Sequence, residues 1–340
     1  MAGRNRATVR DVAEAAGVSA QTVSRVVNQS GYVSADARRR VLDAVARLGY
    51  SPNVLGRSLR STRSPMVGLA VSDIGNPFYA RLHRALETPL RAAGLSVLLL
   101  NCDDDAGLEA AQLELLASYR PTGLVLSPAT GTRFSARQAG VFDNVVLVSR
   151  TVPGIDVPTV VTNEQEAFAQ AAEELYSAGH RRIVAVMGPE GVSTTRLREA
   201  GLHEATGRHP DRHALVRYTE GTSAAARAAL REVLTTESGV TAVLGFNVPV
   251  TEGILVAVRE AGLTVPGDLS VVGFTDAGWM AAAHPSVTAV AQPVEEMGRL
   301  AGDLIVRMAA GDRPARNPHL VVPGSLVRRE SVTPPRKEQR

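Results

Sequence analysis

Residues 8–28 read TVRDVAEAAGVSAQTVSRVVN, a stretch with the spacing of two short helices joined by a tight turn. Small and apolar residues recur at helical intervals from Val9 to Ala16. Thr8 and Asp11 have the three-residue spacing of a capping box, which satisfies free amides at the start of a helix. The sequence therefore predicts a first helix that begins near Val9.

A second helix is predicted directly after the first. Gly17 ends the first helix, and Ser19 supplies the N-cap of a helix that runs from about Ala20 to Val27. The valines of this helix form an inner face. They leave an outer stripe of small, amide and cationic side chains: Ala20, Gln21, Ser24, Arg25 and Asn28.

The outer stripe has the chemistry of a helix that reads the major groove of DNA. Gln21 can form two hydrogen bonds with adenine, Arg25 can do so with guanine, and Ala20 can contact a thymine methyl group. The stripe also fits an ordinary helical hairpin with a solvated face. The second helix is therefore a candidate for base recognition, with the hairpin as the alternative.

The chain continues into a third helix and then a polar linker. Ser34 is placed to cap a helix that Gly49 ends, so that three helices close a small core. Arg38 to Arg40 lie on this helix, either near DNA phosphates or on a solvated face. Residues 51–63 hold too few apolar side chains to pack by themselves, and we expect a linker.

From Met66 onward, apolar strands alternate with helical stretches. The first series is MVGLAVS, SVLLLN, GLVLS and VVLVS, and the second is RIVAVMG, ALVRYTE, AVLGFN and LSVVGFT. Buried parallel strands with crossover helices predict two doubly wound α/β lobes. Such sheets bind ligands beyond the carboxyl ends of their strands, so the following loops should line a cleft: 73–79, 188–194, 247–249 and 275–277.

Three stretches carry a resemblance to a known family. DVAEAAGVSAQTVSRVVN, VSADARRRVLDAVARLGYSPN and VGLAVSDIGNPFYARL closely resemble the LacI/GalR family of bacterial transcriptional repressors, and the similarity runs from Thr8 to about Val332. The resemblance implies a homodimer whose helix-turn-helix heads bind a pseudo-palindromic operator. It also implies a core that binds a small-molecule effector, such as a sugar or related metabolite, which changes the affinity for DNA.

The resemblance implies a fold of the α/β class: an N-terminal three-helix head and a two-lobed, doubly wound core like that of periplasmic binding proteins. We expect the chain to cross back to the first lobe near Gln292. The expected division is head 1–50, hinge helix or linker 51–65, N-terminal lobe 66–163 and 292–318, C-terminal lobe 164–291 and 319–332, and a disordered tail 333–340.

Site residues are also carried over by resemblance. In the family, a leucine at the position of Leu59 enters the minor groove when the hinge forms a helix on DNA, and apolar wedges of this kind kink DNA. The expected DNA-binding residues are Thr8, Ser19, Ala20, Gln21, Thr22, Ser24, Arg25, Asn28, Asn53 and Leu59.

For the effector pocket, the resemblance makes Arg198 the arginine that binds effector oxygens and Asn247 an amide donor from the second lobe. Phe78 would be an aromatic wall, with core filling as the alternative. The family commonly has aspartate where this chain has Ser149, Val248 and Thr275, so the class of effector stays open. The expected effector residues are Phe78, Ser149, Thr194, Arg198, Asn247, Thr275 and Asp276.

Charge and composition agree with a DNA-binding protein. The net charge of +3 conceals 11 arginines and 4 acidic residues in residues 1–65, a balance of +7 that leaves −4 for the rest. A basic end of this kind fits a phosphate footprint, although a basic tail on an enzyme has the same charge.

No apolar run is long enough for a membrane span, and no signal peptide is apparent, so we expect a cytoplasmic protein. The single cysteine, Cys102, is expected to be a buried apolar residue.

Three alternatives remain open at this point. An enzyme is one, because His203, His209, Asp211 and His213 could suggest a metal site, but they lie in a connection where solvated histidines are common, and we predict no metal and no cofactor. A solute-binding protein is the second, which the basic head argues against. A DNA-binding regulator with a vestigial, ligand-free pocket is the third.

Overall fold

A computed structural model describes residues 7–27, 30–50 and 63–336. The chain divides into two compact units, Met1–Ser64 and Pro65–Arg340. The predicted hinge helix and the sites at Asn28, Asn53 and Leu59 lie outside the described residues.

The first unit contains the three predicted helices: α1 (Val9–Ala16), α2 (Ala20–Val27) and α3 (Ala35–Leu48). Thr8 and Asp11 form the predicted capping box of α1, and Ser34 caps α3. Gly17 and Gly49 end their helices in the left-handed conformation that glycine adopts without a steric penalty. The helices enclose a small core of buried apolar side chains: Val12, Ala13, Ala16, Val23, Val26, Val41 and Ala44.

The second unit begins with a lobe built on a six-stranded sheet. Its elements are β1 (Ser64–Val71), α4 (Pro77–Ala92), β2 (Ser96–Asn101), α5 (Ala106–Ser118), β3 (Pro121–Leu126), α6 (Ala136–Ala139), β4 (Val145–Val148) and β5 (Thr159–Thr162). β2 pairs with β1, β3 with β4, and β4 with β5, all in parallel, with Leu69 opposite Leu99 in the first pair. The sheet order β5-β4-β3-β1-β2 reverses between β1 and β3. Open α/β sheets bind ligands at such a reversal.

The second lobe repeats this topology. Its elements are α7 (Glu164–Ser177), β6 (Arg182–Met187), α8 (Ser193–Gly207), β7 (His213–Tyr218), α9 (Ser223–Thr236), β8 (Ala242–Gly245), α10 (Val248–Glu260), β9 (Ser270–Phe274), α11 (Gly278–Ala282) and β10 (Thr288–Ala291). The sheet order β10-β9-β8-β6-β7 reverses between β6 and β8. Two doubly wound lobes on one chain confirm the predicted fold class, and none of the described helices is long and apolar enough to cross a membrane.

The chain passes between the lobes at three places, and the last one differs from the prediction. After Gln292, α12 (Val294–Ala309) returns to the first lobe and packs on α4. β11 (His319–Val322) then pairs with β5 at the edge of the first sheet, and only β12 (Ser325–Val327) joins the second sheet. The expected boundary at residue 319 is therefore wrong, because the short strand HLVV extends the first sheet before the chain crosses.

The expected tail also begins later than predicted. The backbone amide of Thr333 donates to Ser270 Oγ at 3.1 Å, and Arg336 donates to Asp268 at 2.6 Å. These bonds attach residues 333–336 to the second lobe, so the expectation of a disordered tail is wrong for them. Residues 337–340 lie outside the described part of the chain.

Burial shifts the pKa values of Cys102 and His180. Cys102 is 1% exposed, as expected, and burial raises the pKa of its thiol to about 12. His180 is also 1% exposed, and its Nδ1 lies 2.8 Å from Thr241 Oγ1. Burial lowers the pKa of His180, and Arg212 lowers it further, against an opposing interaction with the backbone of Thr333.

The lowered pKa of His180 predicts a loss of stability in acid. Below the unfolded pKa of about 6.5, the unfolded chain binds a proton that the folded chain resists, so stability present above that pH falls as the pH drops. One such group contributes a slope of at most about 1.4 kcal/mol per pH unit. Urea unfolding at pH 7.5 and 5.5 should show a smaller loss in His180→Gln than in the unmodified chain. Equal losses in both proteins would show that His180 does not titrate in this range.

Candidate nucleic-acid interface and ligand cavity

Helix α2 buries Val23 and Val26 and exposes three residues of the predicted stripe, whereas Ser24 is half-buried. Val23 is fully buried and Val26 is 3% exposed, whereas Ala20, Gln21 and Arg25 are exposed. The periodicity of the sequence therefore places the amide and guanidinium groups that can contact base edges on one solvent-facing surface.

The hydroxyl groups among the predicted DNA-binding residues support the helix starts. Ser19 Oγ accepts from the backbone amide of Thr22 at 3.1 Å and lies 2.9 Å from the Thr22 hydroxyl. Thr8 donates from its backbone amide to Asp11 at 2.7 Å, and these bonds lower the pKa of the Asp11 carboxyl. Both helix starts are thus fixed by local caps, and the positive ends of α1 and α2 are where phosphate groups bind favourably.

The arginines of α3 have separate structural roles. Arg40 donates to the carbonyl oxygen of Ala16 at 3.1 Å and lies 3.2 Å from Asp36, so it caps the carboxyl end of α1. Arg39 pairs with Asp36 at 2.7 Å but remains exposed. Tyr32 was not predicted as a site residue, yet it is 90% exposed in the loop before α3, where its hydroxyl could meet a phosphate.

A cavity of about 510 Å³ lies between the two lobes, at the carboxyl ends of the strands. It is lined by loops that follow strands of both sheets, as the topology requires. Six of the seven predicted effector residues line it: Phe78, Ser149, Thr194, Arg198, Asn247 and Thr275.

Arg198 is buried and held on several sides. Its exposed fraction is 4%, its Nε donates to Glu164 at 2.6 Å, and its Nη1 donates to the carbonyl oxygen of Phe246. The guanidinium carbon also lies 3.8 Å from the ring centroid of Phe274 and 4.3 Å from that of Phe246. The arginine is therefore fixed in place, and its charge is paired before any ligand arrives.

The partner of Arg198 belongs to a buried polar network at the chain crossovers. Glu164 also accepts from the Gln292 amide at 3.1 Å, and Gln292 accepts from the Thr275 hydroxyl. Glu164 and Gln292 stand where the chain passes between the lobes, and Gln292, Arg198 and Thr275 line the cavity. The network thus connects the cavity to two of the three crossovers.

Ser149 and Thr275 occupy unusual backbone conformations at the ends of β4 and β9. Their φ angles are +63° and +69°, in the left-handed region that non-glycine residues seldom adopt and that β-branched residues avoid most. Backbone strain of this kind clusters at ligand sites. Aspartate, which the resemblance leads one to expect at both positions, tolerates this region better than threonine does.

Asn247 and Phe78 each combine a structural contact with a place on the cavity wall. Asn247 Oδ1 accepts from the backbone amide of Val250 at 2.8 Å, and its Nδ2 donates to the carbonyl oxygen of Gly221 at 3.1 Å. Phe78 is 4% exposed and packs edge-on against Tyr79 with ring centroids 5.1 Å apart. Phe78 therefore fills part of the core and also lines the cavity.

Asp276 is the predicted residue that the structure places elsewhere. Both of its carboxylate oxygens accept from Arg329, at 2.8 and 2.7 Å. It is absent from the cavity lining, and its carboxylate does not replace the missing family aspartates. Asp276 and Arg329 are 53 residues apart, so no local pattern in the sequence could predict this pairing.

A second arginine in the cavity was not predicted. Arg150 donates through Nη1 to Asp104 at 2.6 Å and to the carbonyl oxygen of Pro128 at 2.9 Å. Burial acts to lower the pKa of Arg150, but Tyr79 and Asp104 outweigh it and raise the pKa, so the guanidinium stays charged. The sequence offered one signal for a place in the cavity: Arg150 lies in the loop that follows the apolar strand VVLV.

A larger groove of about 1160 Å³ runs along α7, α8 and β11 and does not share the chemistry of the cavity. It lies beside helix faces, and three of its carboxylates form ion pairs on the protein surface: Glu173 with His209, Glu174 with Arg328, and Glu204 with Arg208. His203 Nε2 lies 3.6 Å from a carboxylate oxygen of Glu199, whereas His209 pairs with Glu173. Within the described residues, no three His, Cys, Asp or Glu side chains gather into a metal site.

The fold and the two sites define a class: a helix-turn-helix regulator with a two-lobed ligand-binding core. A model of the lacI family of bacterial regulatory proteins matches residues 8–53, and a model of a periplasmic binding protein-like domain matches residues 172–332. The chain belongs to the lacI family. It is a DNA-binding transcriptional regulator and not an enzyme.

Relatives and solved structures agree along almost the whole chain. The regulator GalS of Salmonella typhimurium is 31% identical and the ribose operon repressor of Halalkalibacterium halodurans 30% identical; each alignment covers 96% of this chain and 96–97% of the relative. A lac repressor dimer bound to operator and an anti-inducer is similar with a TM-score of 0.82 and 26% identity over 97% of this chain and 100% of that one. A complex of the regulator CelR with cellobiose has a TM-score of 0.71 and 31% identity over 96% and 100%.

Proposed function

We propose that this chain is a repressor that binds a pseudo-palindromic operator as a homodimer and responds to a small molecule held between its lobes. The observation that carries the DNA-binding part is the exposed stripe of Ala20, Gln21 and Arg25 on a helix whose valines are buried. The similar lac repressor was solved as a dimer on its operator, which supports the same assembly here.

The small-molecule part of the proposal is supported by the interlobe cavity. Its volume of about 510 Å³ is in the range of ordinary ligand pockets, and aromatic walls stand beside polar groups. CelR, which shares the fold, was solved with cellobiose. A ligand that binds this cavity in one arrangement of the lobes more tightly than in another would shift the protein toward that arrangement.

Arg25→Ala tests the base-reading role of α2. On an operator obtained by selection from randomised DNA, the substitution is expected to weaken binding by ~1–3 kcal/mol and to relax the preference at one base pair. Fluorescence anisotropy with single-base operator variants measures both effects. Arg39→Ala, on the exposed face of α3, is the matched control and should leave the ranking of the variants unchanged. The same ranking in Arg25→Ala would contradict the assignment.

A second candidate keeps DNA binding without a ligand. It is favoured by one observation: Nε and Nη1 of Arg198, the side-chain amide of Asn247 and the Thr275 hydroxyl already have protein partners. Thermal unfolding against sugars, nucleosides and small acids separates the candidates, because a ligand at about 100 times its dissociation constant adds ~2.7 kcal/mol of stability. Stabilisation by one compound class supports an effector, and none across the panel supports the ligand-free regulator.

A further inference from the structure

We propose that the interlobe cavity accepts an uncharged or amine-bearing ligand and excludes anionic metabolites. This inference deepens the effector-binding role proposed above and rests on it. It follows from which charged groups of the cavity already have partners within the protein.

Both arginines of the cavity are neutralised by a carboxylate. Arg198 pairs with Glu164 at 2.6 Å, and the side chains are 5% and 1% exposed. Arg150 pairs with Asp104 at 2.6 Å, and these side chains are 11% and 22% exposed. Neither guanidinium therefore offers an uncompensated positive charge to a phosphate or carboxylate.

The other charged groups on the cavity wall are all acidic: Asp73, Asp103 and Glu220. In the part of the chain that the structure describes, no cationic side chain forms an ion pair with any of them. In the first lobe, Asn101 accepts from the backbone amide of Ile74 at 2.9 Å and donates to Asp103 at 2.5 Å, and Asp73 accepts from the backbone amide of Gly75 at 2.8 Å. Glu220 follows β7 and lines the cavity from the second lobe.

The balance of these groups decides the class of ligand. An anion entering the cavity meets three carboxylates that have no cationic partner, and the charge of the Arg198 guanidinium that it would approach is already compensated by the buried Glu164. A hydroxyl or ammonium group instead finds acceptors on both lobes. A ligand with such donors also links Glu220 to the opposite carboxylates and favours closure of the lobes.

Charged thiol reagents test this electrostatic assignment without a known effector. Thr222→Cys places a thiol on the cavity wall at an exposed position, and Ser118→Cys places one on the exposed carboxyl end of α5 as a control. The native Cys102 gives little background, because it is buried and its pKa is raised to about 12. The measurement compares rates for trimethylammonium and sulfonate methanethiosulfonates of equal chain length.

At low ionic strength, the ratio of cationic to anionic rates at Thr222→Cys should exceed the ratio at Ser118→Cys by at least about fivefold. Adding Asp103→Asn and Glu220→Gln should remove most of this preference, and 0.5 M salt should reduce it. A ratio at or below that of the control would overturn the proposal, because the cavity wall would then not favour a cationic group.

Matched ligands separate this inference from the proposed function. Thermal unfolding is followed with glucosamine, glucose and glucose 6-phosphate, and with the corresponding galactose series. Stabilisation by the amino or neutral sugar above the phosphate supports the charge assignment, and the reverse order overturns it. If the thiols show the cationic preference while neither these sugars nor the wider panel stabilises the protein, the charge assignment stands and effector binding fails.

Discussion

Arg198→Ala is expected to lower the free energy of unfolding of the core by ~3–5 kcal/mol, the usual cost of leaving a buried charge without its partner. The carboxylate of Glu164 is 1% exposed, so it loses its cation in a place where water cannot replace it. The stacking of the guanidinium on Phe246 and Phe274 is lost as well. Urea unfolding followed by circular dichroism measures the change.

A paired substitution identifies the cause. Arg198→Met with Glu164→Gln removes both charges and keeps most of the volume, so the double variant should recover at least about half of the lost stability. Arg198→Ala and the double variant should both lose any effector response. A double variant that recovers stability but not the response would separate the stabilising role of the ion pair from ligand recognition. Equal instability of the single and double variants would show that packing, and not the unpaired charge, sets the cost.

Gly201→Ala should destabilise the second lobe by ~3 kcal/mol or more, because α8 crosses α7 at this residue with no room for a methyl group. A Cβ atom on Gly201 would lie 2.1 Å from the carbonyl oxygen of Gln165 and 3.0 Å from the amide nitrogen of Ala169. Both are backbone atoms, so the two helices would have to separate.

The same helix contains its own control. A Cβ atom on Gly207 meets no other atom within 4 Å, and alanine is a better helix former than glycine. Gly207→Ala should therefore leave stability unchanged or raise it by up to ~1 kcal/mol. Denaturation of the two variants under the same conditions makes the comparison. Similar stability of both would mean that α7 and α8 do not pack as closely as described.

The sequence predicted the elements that depend on local signals. The ends of α1, α2 and α3 follow from caps and glycines within a few residues, and the structure places them at the predicted residues. The long apolar runs gave the central strands, because buried parallel strands are apolar on both faces. Short strands such as TVVT and HLVV carry no such signal, which is why β5 was missed and β11 was assigned to the wrong lobe.

Pairings between distant residues could not be predicted in the same way. The cavity position of Arg198 followed from the resemblance, but its partner Glu164 is 34 residues away on another helix. Asp276 shows the opposite case. It was predicted to be available to a ligand, but in the fold both of its carboxylate oxygens accept hydrogen bonds from Arg329. The charge of the cavity is therefore a property of the tertiary structure, because the pairing of Arg198 with Glu164 depends on contacts between residues far apart in the chain.

The central claim is that α2 reads DNA in a symmetric pair, and a selection from randomised duplexes with the full chain tests it most directly. We expect enrichment of a single sequence with two inverted half-sites, and loss of discrimination at one position of each half-site in Arg25→Ala. Enrichment of a sequence without inverted symmetry, or no enrichment above random DNA, would contradict it.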